Sequence, residues 1–163
     1  MATIDIGAAA SDRESSSPPG FTYLDLANPA TDSGTITSIA VYVAVGVTTF
    51  TVGIFSLVSG TTYVCRSAAS LGNLDTGLQT INDLSLAVEE DDVIGGYWLS
   101  GSVDRDNAGG SIVYAAGDKC TEDLETDFSS SGIRIISVHG TGTTGTLLKV
   151  NMNAQMQNLS GGM

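Results

Sequence analysis

The stretch IAVYVAVGVTTFTVGIFSLV, residues 39–58, is the longest apolar run of the chain. Its length approaches that of a membrane-spanning helix, but it is rich in β-branched residues, and the segment GVTT at residues 46–49 interrupts it. Strand-forming residues with a central break favour two buried strands joined by a turn. We therefore predict one strand over residues 35–45 and another over residues 48–58, the second apolar on both faces.

The rest of the chain has the same β signature. Short segments such as FTYLDL (residues 21–26), VIGGYWLSG (93–101) and SIVYAAG (111–117) are separated by turn residues about every 8–12 positions. The pattern predicts an all-β fold, an antiparallel β-sandwich of about 8–10 strands with a jelly-roll-like arrangement. In this prediction residues 1–150 form a single domain, and residues 8–20 are an N-terminal arm or loop.

The charge of the chain argues against several classes of partner. Only 15% of the residues are charged, the net charge is −12, and the six basic residues are scattered. Nucleic acids and anionic membrane surfaces both require clustered lysines and arginines, so we expect neither as a partner. The first 17 residues also lack the basic and apolar regions of a signal peptide, which predicts synthesis in a cytoplasm.

No arrangement of residues points to catalysis. His139 is the single histidine, and no nucleophile elbow is present. The carboxylates concentrate in two turn-like segments, residues 89–92 and 122–127, with few aromatic residues to form a sugar platform. Cys65 and Cys120 have no zinc-site spacing, and the sequence leaves open whether they form a disulfide. We therefore predict that the protein is not an enzyme.

One segment is a candidate for metal binding. The stretch DRDNAGG, residues 104–110, supplies the oxygen ligands Asp104, Asp106 and Asn107, but it departs from the EF-hand pattern. A looser Ca²⁺ site at these three residues is one prediction, and a simple turn between strands is the other. Calcium is the only cofactor that the sequence suggests.

A glycine motif near the end of the chain resembles a dinucleotide fingerprint. Gly140, Gly142 and Gly145 fit the spacing G-x-G-x-x-G, but the following 18 residues contain no Asp or Glu and leave no space for a crossover helix and strand. We therefore predict a turn between two β segments at this place, and no nucleotide site.

The two ends of the chain are the segments that a globular sandwich needs least. Residues 151–163 are uncharged and rich in Asn, Gln and Met, so we expect them to be ordered by contacts with neighbouring subunits. The predicted interface residues at both ends are apolar. They are Ile4, Ile6, Leu147, Leu148, Val150, Met152, Met156 and Leu159.

Two segments carry a resemblance to a known group of proteins. IDIGAAASDRESS, residues 4–16, and VEEDDVIGGYWLSGSVDRD, residues 88–106, are similar to segments of small β-sandwich structural proteins of tailed bacteriophages. The resemblance implies a non-enzymatic virion protein, most simply a capsid decoration (cement) protein. It would be located in the virion, form homo-oligomers, for which trimers are common in that group, and bind the major capsid protein or other virion proteins.

The same resemblance leaves a second function open, a receptor- or carbohydrate-binding knob of a tail or head fibre. Tyr97, Trp98 and Tyr114 would then be the candidates for stacking on sugars. For Trp98 the apolar run around it favours a place in the core instead.

Overall fold

The structure, a computed structural model, describes residues 2–145. Within that range all regular structure is β, and the strands pair antiparallel, so the all-β antiparallel prediction is confirmed. That part of the chain contains no helix with the length and hydropathy of a membrane span. In chain order the strands are β1 (Thr3–Gly7), β2 (Ser15–Ser17), β3 (Phe21–Asp25), β4 (Gly34–Ser59), β5 (Thr62–Leu74), β6 (Gly77–Ile81), β7 (Leu86–Val88), β8 (Val93–Tyr97), β9 (Ser100–Asp106), β10 (Ile112–Ala116), β11 (Glu125–Asp127), β12 (Ser129–Ser130), β13 (Ile135–Ile136) and β14 (Val138–Thr144).

β4 is the central element, a single strand of 26 residues. It replaces the two strands and the turn predicted for this part of the sequence, so that prediction is wrong. The pairing of β4 with β5 and β9 shifts register between Val43 and Phe50, and Thr49 has a positive φ of 53°. Such irregularities bend a strand and increase its twist without reversing the chain.

The two halves of β4 organise two groups of strands. The first half pairs with β14, β7, β6 and β9, and the outer strands β1, β2 and β13 extend this first group. The second half pairs with β5 and β8, and β3, β10, β11 and β12 extend the second group. Because the described strands form one hydrogen-bonded network, the sandwich and its jelly-roll arrangement both stay predictions.

Side-chain alternation along β4 explains how both groups share a core. In the first half Ile39, Val41 and Val43 are fully buried on one face. In the second half both faces are buried only over residues 52–55, with Val52 in the main apolar cluster and Phe55 in a second, smaller cluster, whereas Leu57 and Val58 at its end are exposed. The main cluster contains residues of both groups, so burial of apolar surface stabilises them together.

The N-terminal residues Ile4 and Ile6 lie in this main cluster and are almost completely buried. Their alternation in β1, which pairs with β14, directs both side chains into the core of the chain itself. The expectation that they contact neighbouring subunits is therefore wrong. The other predicted interface residues, Leu147, Leu148, Val150, Met152, Met156 and Leu159, and the predicted C-terminal segment 151–163 lie outside the described residues.

The predicted arm over residues 8–20 is partly regular structure. β2 lies within it and pairs with β9, which places Ser15 opposite Arg105. Arg13, just before β2, donates from Nε to the hydroxyl of Ser137 at 2.6 Å and from Nη2 to the carbonyl of Ala9 at 2.7 Å. These contacts attach the segment to the first group of strands.

Candidate functional site

An open pocket of about 440 Å³ lies between the two groups of strands, and aromatic rings form one of its walls. Phe21 and Tyr23 are two residues apart in β3 and therefore share a face, and Tyr114 in β10 is directly opposite Tyr23. The rings of Phe21 and Tyr114 meet edge to face, with centroids 5.8 Å apart. We call this site the arginine–aromatic pocket.

Two arginines line the same pocket from the first group of strands. Arg105 lies in β9 with strand partners on both sides, Ser15 in β2 and Ile136 in β13, and Arg134 comes directly before β13. Arg105 donates from Nη2 to the hydroxyl of Ser15 at 3.3 Å, and Arg134 donates from Nη1 to the hydroxyl of Ser131 at 2.9 Å. Pro18 and Ser130 also line the pocket.

Neither arginine has a carboxylate within 4.0 Å among the described residues, whose acid–base pairs all involve other side chains. Residues 146–163 contain no Asp or Glu. Burial lowers the pKa of Arg105, and the nearby Arg134 guanidinium lowers it further. Within residues 2–145 the two guanidinium groups therefore line one pocket without a carboxylate partner, an arrangement that attracts negative charge.

A column of stacked rings connects the pocket to the core. Trp98 is fully buried and stacks on Phe50 at 5.7 Å and on Tyr23 at 5.3 Å between ring centroids. The Tyr23 hydroxyl donates to the carbonyl of Pro18 at 3.0 Å. Burial raises the pKa of Tyr23 to about 12, although the two arginines lower it, so its phenol is neutral at physiological pH.

The three predicted sugar-stacking residues lie in three different places in the structure. Tyr114 lines the pocket, whereas Trp98 belongs to the core and is not available to a ligand. Tyr97 packs against the second apolar cluster and does not line the pocket. No sequence pattern connects the two arginines, because they lie 29 positions apart and only the pairing of β9 with β13 brings their segments together.

The predicted calcium ligands belong to a different site. Asp104 and Asp106 lie at alternate positions of β9, not in a turn, and both contact Arg13. The backbone N–H of Arg13 donates to Asp104 Oδ2 and its Nη1 donates to Asp106 Oδ2, both at 2.8 Å. Asn107 is exposed beyond the end of the strand.

The hydrogen bonds from Arg13 affect the pKa values of both carboxyl groups. Burial raises the pKa of Asp104, and the neighbouring Asp12 contributes in the same direction, whereas the hydrogen bond from Arg13 lowers the pKa of Asp106. Across residues 2–145 no three His, Cys, Asp or Glu side chains are grouped as a metal site would require. A Ca²⁺ ion bound to Asp106 would have to displace the guanidinium.

The two cysteines are free thiols in the second apolar cluster. Burial raises the pKa of Cys65 to about 12 and holds the pKa of Cys120 well above the ordinary thiol value. Because the thiolate is the reactive form, neither side chain has the properties of a nucleophile.

The single histidine is on the outer face of the first group. Its Nε2 lies 3.4 Å from the exposed carboxylate of Asp5 on the neighbouring strand. In the acidic segment 89–92, Asp92 is buried and accepts from Arg66 Nε at 2.5 Å, so part of that segment is structural.

The glycine motif is a strand and not the predicted turn. Gly140 and Gly142 lie within β14, which pairs with β1 on one side and β4 on the other. The structure therefore replaces the expected turn with a paired strand that holds the first group together.

Comparison of the chain with models of protein families, with curated proteins and with solved structures gave no match.

Proposed function

We propose that this protein is a non-enzymatic binding module of a virion, of the receptor- or carbohydrate-binding kind, and that the arginine–aromatic pocket is its binding site. One observation carries the proposal: two arginines that have no carboxylate partner within residues 2–145 face three aromatic rings in one open pocket. Two of the six basic residues of the chain are used in this single place.

The lining has the character of a small-ligand site. Such pockets have apolar and aromatic walls with a few polar groups that orient the ligand, and their volumes are about 300–1,000 Å³. Phe21 and Tyr114 supply apolar ring surface, and the guanidinium groups and the hydroxyls of Ser130 and Ser131 supply hydrogen bonds. This combination suits a sugar, which has both apolar C–H faces and many hydroxyl groups.

The virion setting of the proposal is supported by the sequence. A charge content of 15% and the two segments that resemble phage structural proteins are typical of proteins that work in many copies on a particle.

A glycan array probed with the full chain tests the proposal. We expect binding to a defined subset of glycans and loss of that binding in Arg134→Ala and Tyr114→Ala. Lys119→Ala is the matched control, because it removes the same charge as Arg134→Ala at a position that does not line the pocket. An array without bound glycans, or binding that both pocket variants retain, would contradict the proposal.

A second candidate is the capsid decoration function, which exposed apolar side chains near the bend of β4 favour. Val45, Leu78 and Leu99 are 61%, 56% and 60% exposed. Leu99 donates its N–H to the carbonyl of Thr48, and Gly77, next to Leu78, pairs with Val43, so the three lie around the same bend. A contact with another subunit at this bend would bury all three side chains, and such burial is favourable.

Sedimentation of the full chain tests this second candidate. We expect concentration-dependent association that the double variant Val45→Ser and Leu99→Ser weakens, with no change in circular dichroism. The control is Leu57→Ser, which changes an equally exposed residue at the tip of the β4–β5 hairpin. A chain that stays monomeric at all concentrations would contradict it.

A further inference from the structure

We infer that the arginine–aromatic pocket takes a sugar bearing a carboxylate, of the uronic acid or sialic acid class. The inference rests on the proposed carbohydrate-binding function and specifies its ligand. It follows from three features of the pocket: the charge balance, the unused hydrogen-bond donors and the shape of the aromatic wall.

The charge balance of the pocket favours an anion. Arg105 and Arg134 face the same cavity, and their mutual repulsion is not relieved by any carboxylate within 4.0 Å in the described part of the chain. Asp104 and Asp106 flank Arg105 along β9 and therefore point to the opposite face of the strand, and none of the 18 acidic side chains lies within 4.0 Å of either guanidinium group. A bound carboxylate would neutralise charge at a point where the described residues place no carboxylate of their own.

The donors have the geometry for a carboxylate. A guanidinium group has five N–H donors in a planar fork that matches the two oxygens of a carboxylate. Arg105 and Arg134 each give one side-chain hydrogen bond, to Ser15 and Ser131. The Nε of Arg105 is buried and has no partner among the described residues. Apart from this enclosed Nε, the remaining donors of the two arginines give no side-chain hydrogen bond within residues 2–145, so these donors are the ones left for a ligand.

The aromatic wall distinguishes a sugar acid from a simple anion. Phe21 and Tyr114 are only half buried, and they stand edge to face beside the arginines. Tyr23 is oriented by its hydrogen bond to Pro18 and by its stacking on Trp98, so the wall is held in place. A site for inorganic phosphate has no need of such a surface, whereas a pyranose ring does.

The test compares charged and neutral probes by calorimetric titration of the full chain. The acidic probes are N-acetylneuraminic acid and glucuronic acid, the neutral probes are their methyl esters and glucose, and inorganic phosphate is the third arm. We expect the acids to bind at least about tenfold more tightly than their esters, because the esters lose the charge-assisted hydrogen bonds. We also expect a higher salt concentration to weaken the binding of the acids and to leave the binding of the neutral probes unchanged.

Substitutions of Arg134 test whether the acidic probes bind in the arginine–aromatic pocket. Arg134→Gln is expected to reduce affinity for the acids about tenfold or more and leave the weak binding of the esters unchanged. Arg134→Lys, which keeps the charge and loses the fork, is expected to be intermediate. Lys119→Ala is the control with unchanged affinity. Arg134 lies outside the strands, so these variants are expected to fold, which thermal melts verify.

The outcomes separate the inference from the function on which it rests. Esters or glucose binding as tightly as the acids would overturn the inference and leave a carbohydrate-binding site. Phosphate binding as tightly as the acids, or acid affinity unchanged in Arg134→Gln, would also overturn it. No binding of any sugar, together with an empty glycan array, would overturn both.

Discussion

Two glycines of β14 determine how closely three strands approach one another. A Cβ atom at Gly140 would meet Ile6 Cγ2 at 2.8 Å, and one at Gly142 would collide with the backbone carbonyl oxygen of Thr35. The first neighbour is a side chain in the core, and the second is backbone of β4, which cannot move without breaking the sheet. The glycine spacing that resembles a nucleotide motif therefore has a packing explanation.

Gly142→Ala is expected to lower the free energy of unfolding by about 3 kcal/mol, because the added methyl group forces β14 away from β4. Urea denaturation measures the change. Gly46→Ala is the control, since its Cβ would meet nothing closer than the Leu74 carbonyl oxygen at 3.6 Å. We expect it to change stability by less than about 0.5 kcal/mol. Equal effects of the two substitutions would contradict the packing explanation.

The buried carboxyl group of Asp25 gives the stability a pH dependence. Burial raises its pKa above the ordinary value of 3.8, although hydrogen bonds from Asn28 and the backbone N–H of Ala27 lower it. The folded protein therefore binds a proton here more tightly than the unfolded chain. This contribution to stability is fully present below pH 3.8 and is lost as the pH rises through the raised pKa.

Asp25→Asn removes this titration. We expect the stability of the wild-type protein relative to the variant to fall as the pH is raised from 3.8 towards neutral. Urea denaturation of both proteins across that range measures the difference. Asp32→Asn, an exposed residue, is the control. A difference between wild type and Asp25→Asn that does not vary with pH would show that Asp25 titrates at its ordinary pKa.

The strand β4 shows what apolar patterning predicts and what it leaves open. Alternating apolar residues in the first half predict one buried face, and the continuous apolar run in the second half predicts burial on both faces. The break at residues 46–49 predicts a turn in the sequence, but Gly and Thr between two apolar runs fit a hairpin and a bulged bend equally well. Only the long-range pairing with β5, β8 and β9 distinguishes the two.

Thr49 is the residue of this bend whose backbone is strained. A β-branched residue at a φ of 53° is disfavoured, and the strain is of the order of 1 kcal/mol or more. We expect Thr49→Gly to raise the free energy of unfolding by about 1 kcal/mol. Thr48→Gly is expected to lower it by about 1 kcal/mol, because Thr48 does not have a positive φ and its hydroxyl bonds with Ser100 at 2.7 Å. Thermal or urea unfolding that shows destabilisation by Thr49→Gly would contradict the assignment of strain.

The arginine–aromatic pocket exists only in the assembled fold. Its aromatic wall comes from β3 and β10 in the second group of strands, and its arginines come from β9 and the residue before β13 in the first group. The residue type of Tyr114 is enough to predict it as a candidate for stacking on sugars, but no local sequence pattern connects Phe21 with Arg134. The all-β class could be predicted from the sequence because it depends on local alternation, whereas the site depends on contacts between distant strands.

Assembly of the chain into oligomers is the property that the second proposed function requires. Removal of the last 12 residues, 152–163, is expected to weaken self-association and to leave the far-ultraviolet circular dichroism unchanged, since the core described above is made of residues 2–145. Sedimentation velocity of the full and shortened chains measures the difference. Unchanged association would contradict a role of this segment between subunits.

The ring column from Phe50 through Trp98 to Tyr23 gives the protein a built-in optical reporter. Trp98 is the single tryptophan of the chain, it lies in an apolar environment, and only one tyrosine ring separates it from the pocket. Its emission should occur at short wavelengths and should change when a ligand displaces or rigidifies Tyr23. Unlabelled protein in a fluorimeter is therefore sufficient to screen a library of compounds.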